Sequence, residues 1–276
     1  MDLRLRMVLV GLVIGIVVAI AVAANGCGHH KRPLRHGSAN AATSSAGPAR
    51  ASPNGEQARK RPFRRPNARG AFFSWHHGQV ARVDAPRGRM VALTFDDGPG
   101  IDTAAILDAL RRMHARATFF VIGSMAAANP EMVRAIRRAG MQIGNHTWSH
   151  TQLPELSPAA QLDELERAQA VLTRITHVRP RFFRPPNWRF GERAARAAAR
   201  EGLIGVMRTV DTRDWTLPGT AEIVRRALRV GAGGVVAMHD GGGSTRAQTA
   251  AAVPLIVRGL RRRGLRPVTV AELYRG

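Results

Sequence analysis

The chain has 276 residues, 45% of them hydrophobic, which is ample for a sizeable buried core and excludes a small domain that needs staples to fold. Its single cysteine, Cys27, excludes an intrachain disulfide framework. The formal net charge of +23 is spread unevenly: residues 1–24 contribute +1, residues 25–90 contribute +11 (13 basic, 2 acidic) and residues 91–276 contribute +11 (27 basic, 16 acidic), so no specific nucleic-acid partner is expected.

Residues 7–24 are an uncharged apolar run preceded by Arg4 and Arg6. They form an export or anchor segment, 1–26. The run exceeds the usual signal-peptide core and sits at the short end of a bilayer span. This favours a retained inner-membrane anchor, with the remainder of the chain in the periplasm or outside the cell, over a cleaved signal. The sequence Ala24-Asn25-Gly26-Cys27 also resembles a lipoprotein acylation site, so lipid attachment at Cys27 stays open. Residues 27–85 are rich in Ala, Pro, Gly, Ser and Arg without an apolar period, and are expected to be a disordered linker. Its basic clusters suit a solvated tether first and contact with anionic envelope polymers second. Phe72, Phe73 and Trp75, near its end, are expected to dock on the domain that follows.

From residue 90 the pattern alternates. Residues 91–95 read as a strand, 103–114 as an amphipathic helix and 117–122 as a second strand. A helix over 130–139 starts at Pro130, a strand covers 141–144, and a long helix over 157–176 opens on Ser157 and Pro158. Strands over 181–183, 204–210, 234–239 and 267–270 then alternate with helices over 192–201, 221–230 and 250–263. About seven such units in one direction predict an α/β fold whose parallel sheet is covered on both faces, open or closed into a barrel.

Every chemistry-bearing candidate follows a strand. Asp96 and Asp97 close the first, His146 and His150 follow the third, Arg184 the fourth, Asp211 and Asp214 the fifth, and His239 the sixth. The carboxyl ends of parallel strands form one rim, so residues far apart in sequence converge there. His146 and His150 lie four positions apart, a spacing at which two neutral imidazoles close on one metal ion. With a carboxylate from the Asp96-Asp97 pair they make a two-histidine, one-carboxylate triad that leaves coordination positions open.

The segments Thr94-Phe95-Asp96-Asp97-Gly98, His146-Thr147-Trp148-Ser149-His150, Arg184-Pro185-Pro186, Asp211-Thr212-Arg213-Asp214-Trp215 and Met238-His239 resemble, in order and spacing, the five motifs of the polysaccharide deacetylases. These form carbohydrate esterase family 4 and share the nodulation-protein-B homology domain; the resemblance covers about residues 88–275 of a domain set at 86–276. It implies a distorted (β/α)7-type barrel and metal-dependent removal of N-acetyl groups from an N-acetylglucosamine polymer such as peptidoglycan, poly-N-acetylglucosamine or a chitin-like glycan. It also implies roles. Asp97, His146 and His150 would hold one divalent ion, zinc first and cobalt, nickel or manganese as alternatives. Asp96 would be the general base, kept ionised by Arg184, while His239, paired with Asp214, would protonate the leaving amine. Trp215 and Met238 would form an apolar slot for the acetyl methyl, with core packing as the other reading of Met238.

The resemblance also sets Pro186 against the substrate; after it the family commonly has an aromatic residue, and this chain has Asn187. The resemblance gives the backbone N–H there to the oxyanion, and Trp188 would stack on a sugar ring. An O-acetyl glycan esterase or small-amide hydrolase of the same fold, and a catalytically silent glycan-binding module on a membrane tether, stay open as alternatives.

Overall fold

The computed structural model describes residues 71–76, 79–83, 88–243 and 245–275. Residues 7–24, Cys27 and the linker up to residue 70 lie outside the described residues. A pair of strands, β1 (Phe72–His76) and β2 (Gln79–Val83), precedes β3 (Met90–Gly98). Next come α1 (Thr103–Arg112), β4 (Thr118–Val121), α2 (Gly123–Ala128), α3 (Pro130–Arg138), β5 (Gln142–Asn145), α4 (Pro158–Thr176) and β6 (Phe182–Phe183). The chain continues through α5 (Glu192–Arg200), β7 (Ile204–Val206), β8 (Val210–Asp211), α6 (Thr220–Ala227) and β9 (Val235–His239). It closes with α7 (Ala247–Arg262), β10 (Arg266–Val268) and α8 (Val270–Arg275).

Local chemistry sets several of these boundaries. Pro130 occupies the first turn of α3, and the Asn129 side chain before it accepts from Met132 N–H at 3.2 Å. Ser157 does the same for α4, accepting from Ala160 N–H at 3.3 Å, with Pro158 directly after it. Among the described residues no helix is long and apolar enough to cross a membrane.

In the order β7-β6-β5-β4-β3-β9-β8 every neighbouring pair is parallel. The two ends of this run, β7 and β8, are nevertheless joined by residues 207–209 alone. Four Cα steps span at most ~14 Å, whereas seven strands laid flat would put their outer members ~29 Å apart. The sheet must therefore curl until its edges nearly meet, which makes the distorted barrel. The edge of β7 that faces the gap is taken by β1, paired antiparallel through Phe72↔Val206 and Phe73↔Gly205.

Strand periodicity divides the core into two faces. Val91, Leu93 and Phe95 of β3 pack outward among the helices with Phe119, Val236 and Met238. Ala92, Phe120, Phe182, Val206 and Val235 face inward and fill the barrel with Phe72. Both faces are buried, which is why β3 reads as a continuous apolar run.

Four differences from the sequence expectation stand out. The linker assignment to residue 85 runs too far: the aromatic segment docks as expected, but as strand β1, with Phe72 and Phe73 buried in the core. The expected strand 204–210 is two strands at opposite ends of the parallel run. The last strand, β10, sits beneath β3 instead of extending the run, pairing with Met90 to Ala92. The short helices α2 and α8 add to the expected series.

Gly205 shows how tightly the seam is built, since a Cβ there would lie 1.8 Å from Phe73 Cζ. Gly205→Ala is expected to lower unfolding free energy by about 1–3 kcal/mol through overpacking, read as a fall in the denaturant midpoint.

Candidate active site

The inward face of the barrel turns polar at the carboxyl ends of its strands. On β3 the series Ala92, Thr94, Asp96 points inward; on β6 Phe182 is followed by Arg184 on the same face. Thr94, Asp96 and Arg184 are all buried and meet there. Arg184 Nη1 donates to Asp96 Oδ1 at 2.6 Å and to Thr94 Oγ1 at 2.7 Å, and its guanidinium lies 4.1 Å over the Phe120 ring. Burial pulls the Arg184 guanidinium below its usual range, and Asp96 opposes this.

Strict alternation would turn Asp97 away from Asp96. A bulge prevents it: the register with β4 shifts between Asp96 and Gly98, and Asp97 adopts φ +71°. Two adjacent carboxylates thereby enter one cavity. The glycines after His239 make room, since a Cβ on Gly242 would lie 2.3 Å from Asp97 Oδ2 and one on Gly241 2.1 Å from Asp97 O. Gly241 and Gly242 are thus the close-packed support of Asp97, while Gly243 lies against the Arg246 guanidinium.

Asp97 Oδ1 stands 3.1 Å from both His146 Nε2 and His150 Nε2. The partner of His146 Nδ1 is the carbonyl oxygen of Arg184 at 2.7 Å, so Nδ1 must donate and the neutral ring keeps its lone pair on Nε2. Lone pairs facing one another across such distances repel unless a proton or a metal cation lies among them. The three ligand atoms are mutually within 4.8 Å, and among the described residues this is the group suited to a metal ion. One carboxylate oxygen and two imidazole nitrogens fit zinc and its neighbours. Burial disfavours charge on Asp97, but the two histidines outweigh it and hold its carboxyl well below the usual carboxylate range.

His239, at the end of β9, comes in from the other side of β3. Its Nδ1 donates to Asp214 Oδ1 at 2.7 Å, and its backbone N–H donates to Asp214 Oδ2 at 2.9 Å. Asp214 is fully buried and also accepts from Thr249 Oγ1 at 2.7 Å. Burial works against charge on the imidazole, but Asp214 overrides it and raises the His239 pKa to about 9. In turn Asp214 is held below the usual range: burial opposes its charge, and the His239 and Thr249 hydrogen bonds prevail.

These groups share a cavity of about 440 Å³ with Pro185, Asn187, Trp188, Arg208, Asp211 and Trp215 on its walls. Trp215 is 52% exposed and offers its ring to a ligand. Asn187 is exposed at the mouth with φ 52°, a left-handed conformation that asparagine tolerates better than most residues.

Two expectations are corrected. Met238 lies one residue before His239, faces outward and is fully buried in the helix-covered core, so it forms no part of the slot. Pro186 does not line the cavity, whereas its neighbour Pro185 does, both being buried. Trp188 lies on the cavity wall, half-buried, with the guanidiniums of Arg208 and Arg184 over its ring at 4.1 and 4.9 Å.

Other residues of the site escape sequence reasoning. Thr94 and Thr249 hold Arg184 and Asp214. Asp240 supports the β3 bulge from below, accepting from Thr103 Oγ1 at 2.6 Å and donating its N–H to Asp96 O at 3.0 Å. Burial pushes its carboxyl up to about 7. Its position directly after His239 is the one signal of it that the sequence carries.

Known proteins carry the same arrangement of sequence and fold. The polysaccharide deacetylase family model matches residues 84–206. A peptidoglycan-N-acetylglucosamine deacetylase of Bacillus cereus is 35% identical over 191 residues, covering 68% of this chain and 89% of the relative. The chain belongs to the polysaccharide deacetylase family. A second member, a chitooligosaccharide deacetylase of Bradyrhizobium, is 34% identical over 204 residues, covering 69% of this chain and 93% of that protein. Among solved structures, a family 4 carbohydrate esterase from Streptomyces lividans in complex with acetate superposes with a TM-score of 0.62 at 38% identity, over 64% of this chain and 91% of the other.

Proposed function

We propose that this polysaccharide deacetylase hydrolyses N-acetyl groups of an N-acetylglucosamine-containing glycan. The observation that carries the reading is one cavity lined by Asp96, Asp97, His146, His150 and His239, with Arg184 buried behind Asp96 and Asp214 buried behind His239. Amide hydrolysis needs a base for the attacking water and an acid for the departing nitrogen, held in opposed environments.

A divalent ion held by Asp97, His146 and His150 supplies Lewis acidity for the acetyl carbonyl when bound. Asp96 takes the proton of the attacking water. Arg184, buried against it, keeps that carboxylate ionised and aimed. His239, cationic at neutral pH because of Asp214, gives its proton to the sugar nitrogen as the C–N bond breaks. The half-exposed Trp215 offers an apolar wall for a short acyl group. Support for the glycan comes from the two relatives, both named for acetylated N-acetylglucosamine polymers or oligomers. The apolar segment at residues 7–24 suits a membrane tether that holds the domain beside such a polymer outside the cytoplasm.

The test is acetate release from peptidoglycan, poly-N-acetylglucosamine and chitooligosaccharides, with and without a chelator. Release from at least one glycan, abolished by chelation and restored by zinc, is expected. Metal-loaded protein that binds these glycans and leaves all of them acetylated would instead establish a silent binding module.

A further inference from the structure

The two histidines of the cluster are aimed in different ways. The His146 ring is held directly, by Nδ1–H donated to the Arg184 carbonyl at 2.7 Å. His150 Nδ1 makes no hydrogen bond among the described residues, and its side chain is 29% exposed. Its aim at Asp97 therefore depends on the backbone that carries it. That backbone is unusual, because Thr147 and His150 both have positive φ, 65° and 63°. Neither is glycine, so the conformation persists only where the surroundings dictate it.

Three hydrogen bonds of the loop backbone contribute: Gly123 N–H donates to Thr147 O at 2.9 Å, Ser124 N–H to Trp148 O at 3.0 Å and His150 N–H to Thr147 Oγ1 at 3.2 Å. The side chain that reaches the middle of the loop is a buried carboxylate on α4. Glu164 Oε2 accepts from Trp148 N–H at 3.0 Å and Ser149 N–H at 2.9 Å, and its Oε1 accepts from Ser149 Oγ at 2.7 Å. These are the two residues between the strained positions. One turn further along α4, Arg167 lies 4.2 Å over the Trp148 ring, a second grip on the same loop that does not involve Glu164. The loop's inner end is fixed separately, by Thr147 N–H donated to Asn145 Oδ1 at 2.8 Å.

We infer that Glu164 is a positioning residue that sets the aim of His150 and, through it, the affinity of the Asp97–His146–His150 cluster for a divalent cation. The inference rests on reading that cluster as a metal site. Groups hydrogen-bonded to metal ligands act this way, by removing orientations in which a ligand misses the ion, and Glu164 acts one step further out, through the backbone of Trp148 and Ser149 that leads into His150. A purely structural staple would instead affect folding and leave affinity alone.

Metal-stripped full chain titrated with Co²⁺ separates the two, read by calorimetry and by the cobalt d–d absorption band, with the melting temperature of the metal-free protein alongside. Glu164→Ala is expected to bind Co²⁺ about 10–100-fold more weakly, with an altered band, while Arg167 and Asn145 keep the loop folded. Glu164→Gln, whose carbonyl still serves both backbone N–H groups, should recover most of the affinity. Should the alanine variant not fold, Glu164→Asp, which keeps the charge but falls one methylene short, takes its place with the same expected loss. Parent-like Co²⁺ affinity and band in the shortened variants would overturn the inference. A parent chain that bound no Co²⁺ would overturn the metal reading itself, and this inference with it.

Discussion

Asp96→Asn is expected to reduce kcat for acetate release by about 10²–10⁴-fold, the range set by loss of a positioned general base. The carboxamide matches the carboxylate in shape and retains an acceptor for Arg184, but has no basic oxygen for the proton of water. Metal content and glycan affinity should not change, since among the described residues the ion-pair partner of Asp96 is Arg184, and the two histidines pair with Asp97. Stability should fall, because Arg184 is fully buried and loses its only carboxylate partner among the described residues. Thr94 Oγ1 and the Val206 carbonyl at 3.3 Å remain as acceptors and limit that loss. Turnover, metal content and the unfolding midpoint measured on one preparation distinguish a lost base from a collapsed site. Near-normal turnover with correct metal content would remove Asp96 from the role.

The fold is legible where burial on both faces leaves an unbroken apolar run. Residues 91–95 and 234–239 read as strands because their inward and outward side chains are both apolar up to the rim. Residues 204–210 mislead for a related reason. Val206-Met207-Arg208-Thr209-Val210 contains no glycine or proline to mark the break, although the chain leaves β7, bends at Thr209 and enters β8 at the other end of the parallel run. That crossing is a property of barrel closure, which local pattern does not encode. The hairpin at residues 72–83 is hidden because its partner, β7, lies far along the chain.

The candidate site divides in the same way. Asp96, Asp97, His146, His150, Arg184, Asp214 and His239 are legible because each sits in a short polar segment at a strand end, and the structure brings all seven together. The errors come from side-chain direction. Met238 lies beside a site residue in sequence, and a period of two sends it to the other face. The residues missed altogether hold others in place from distant elements: Glu164 from α4 and Thr249 from α7. Neither position has a local pattern that separates it from a helix face, so only tertiary contact shows what it does.

Asp214→Asn is expected to move the alkaline limb of the pH–rate profile down by about two pH units, toward or below the ordinary histidine value of about 6.5. The sign follows from the raised His239 pKa of about 9. An imidazole with a raised pKa keeps its proton, and the stability its ion pair contributes, below its ordinary pKa, and loses both as pH rises through the folded value. With Asp214 present, His239 is therefore a proton donor throughout neutral and mildly alkaline conditions. Without the charge, burial of the ring acts alone and favours the neutral form. Asp96 and Asp97 also raise the His239 pKa, but more weakly, and a cation on Asp97 cancels its share, so Asp214 carries the effect. At pH 8 the variant should be slower than the parent by at least about tenfold, with much of the rate recovered near pH 6. The substituted carboxamide would still accept from Thr249 or from the His239 N–H through its one oxygen, so the ring stays placed and the change registers in the profile instead of in binding. An alkaline limb that stayed near pH 9 in this variant would show that the titrating acid is a different group.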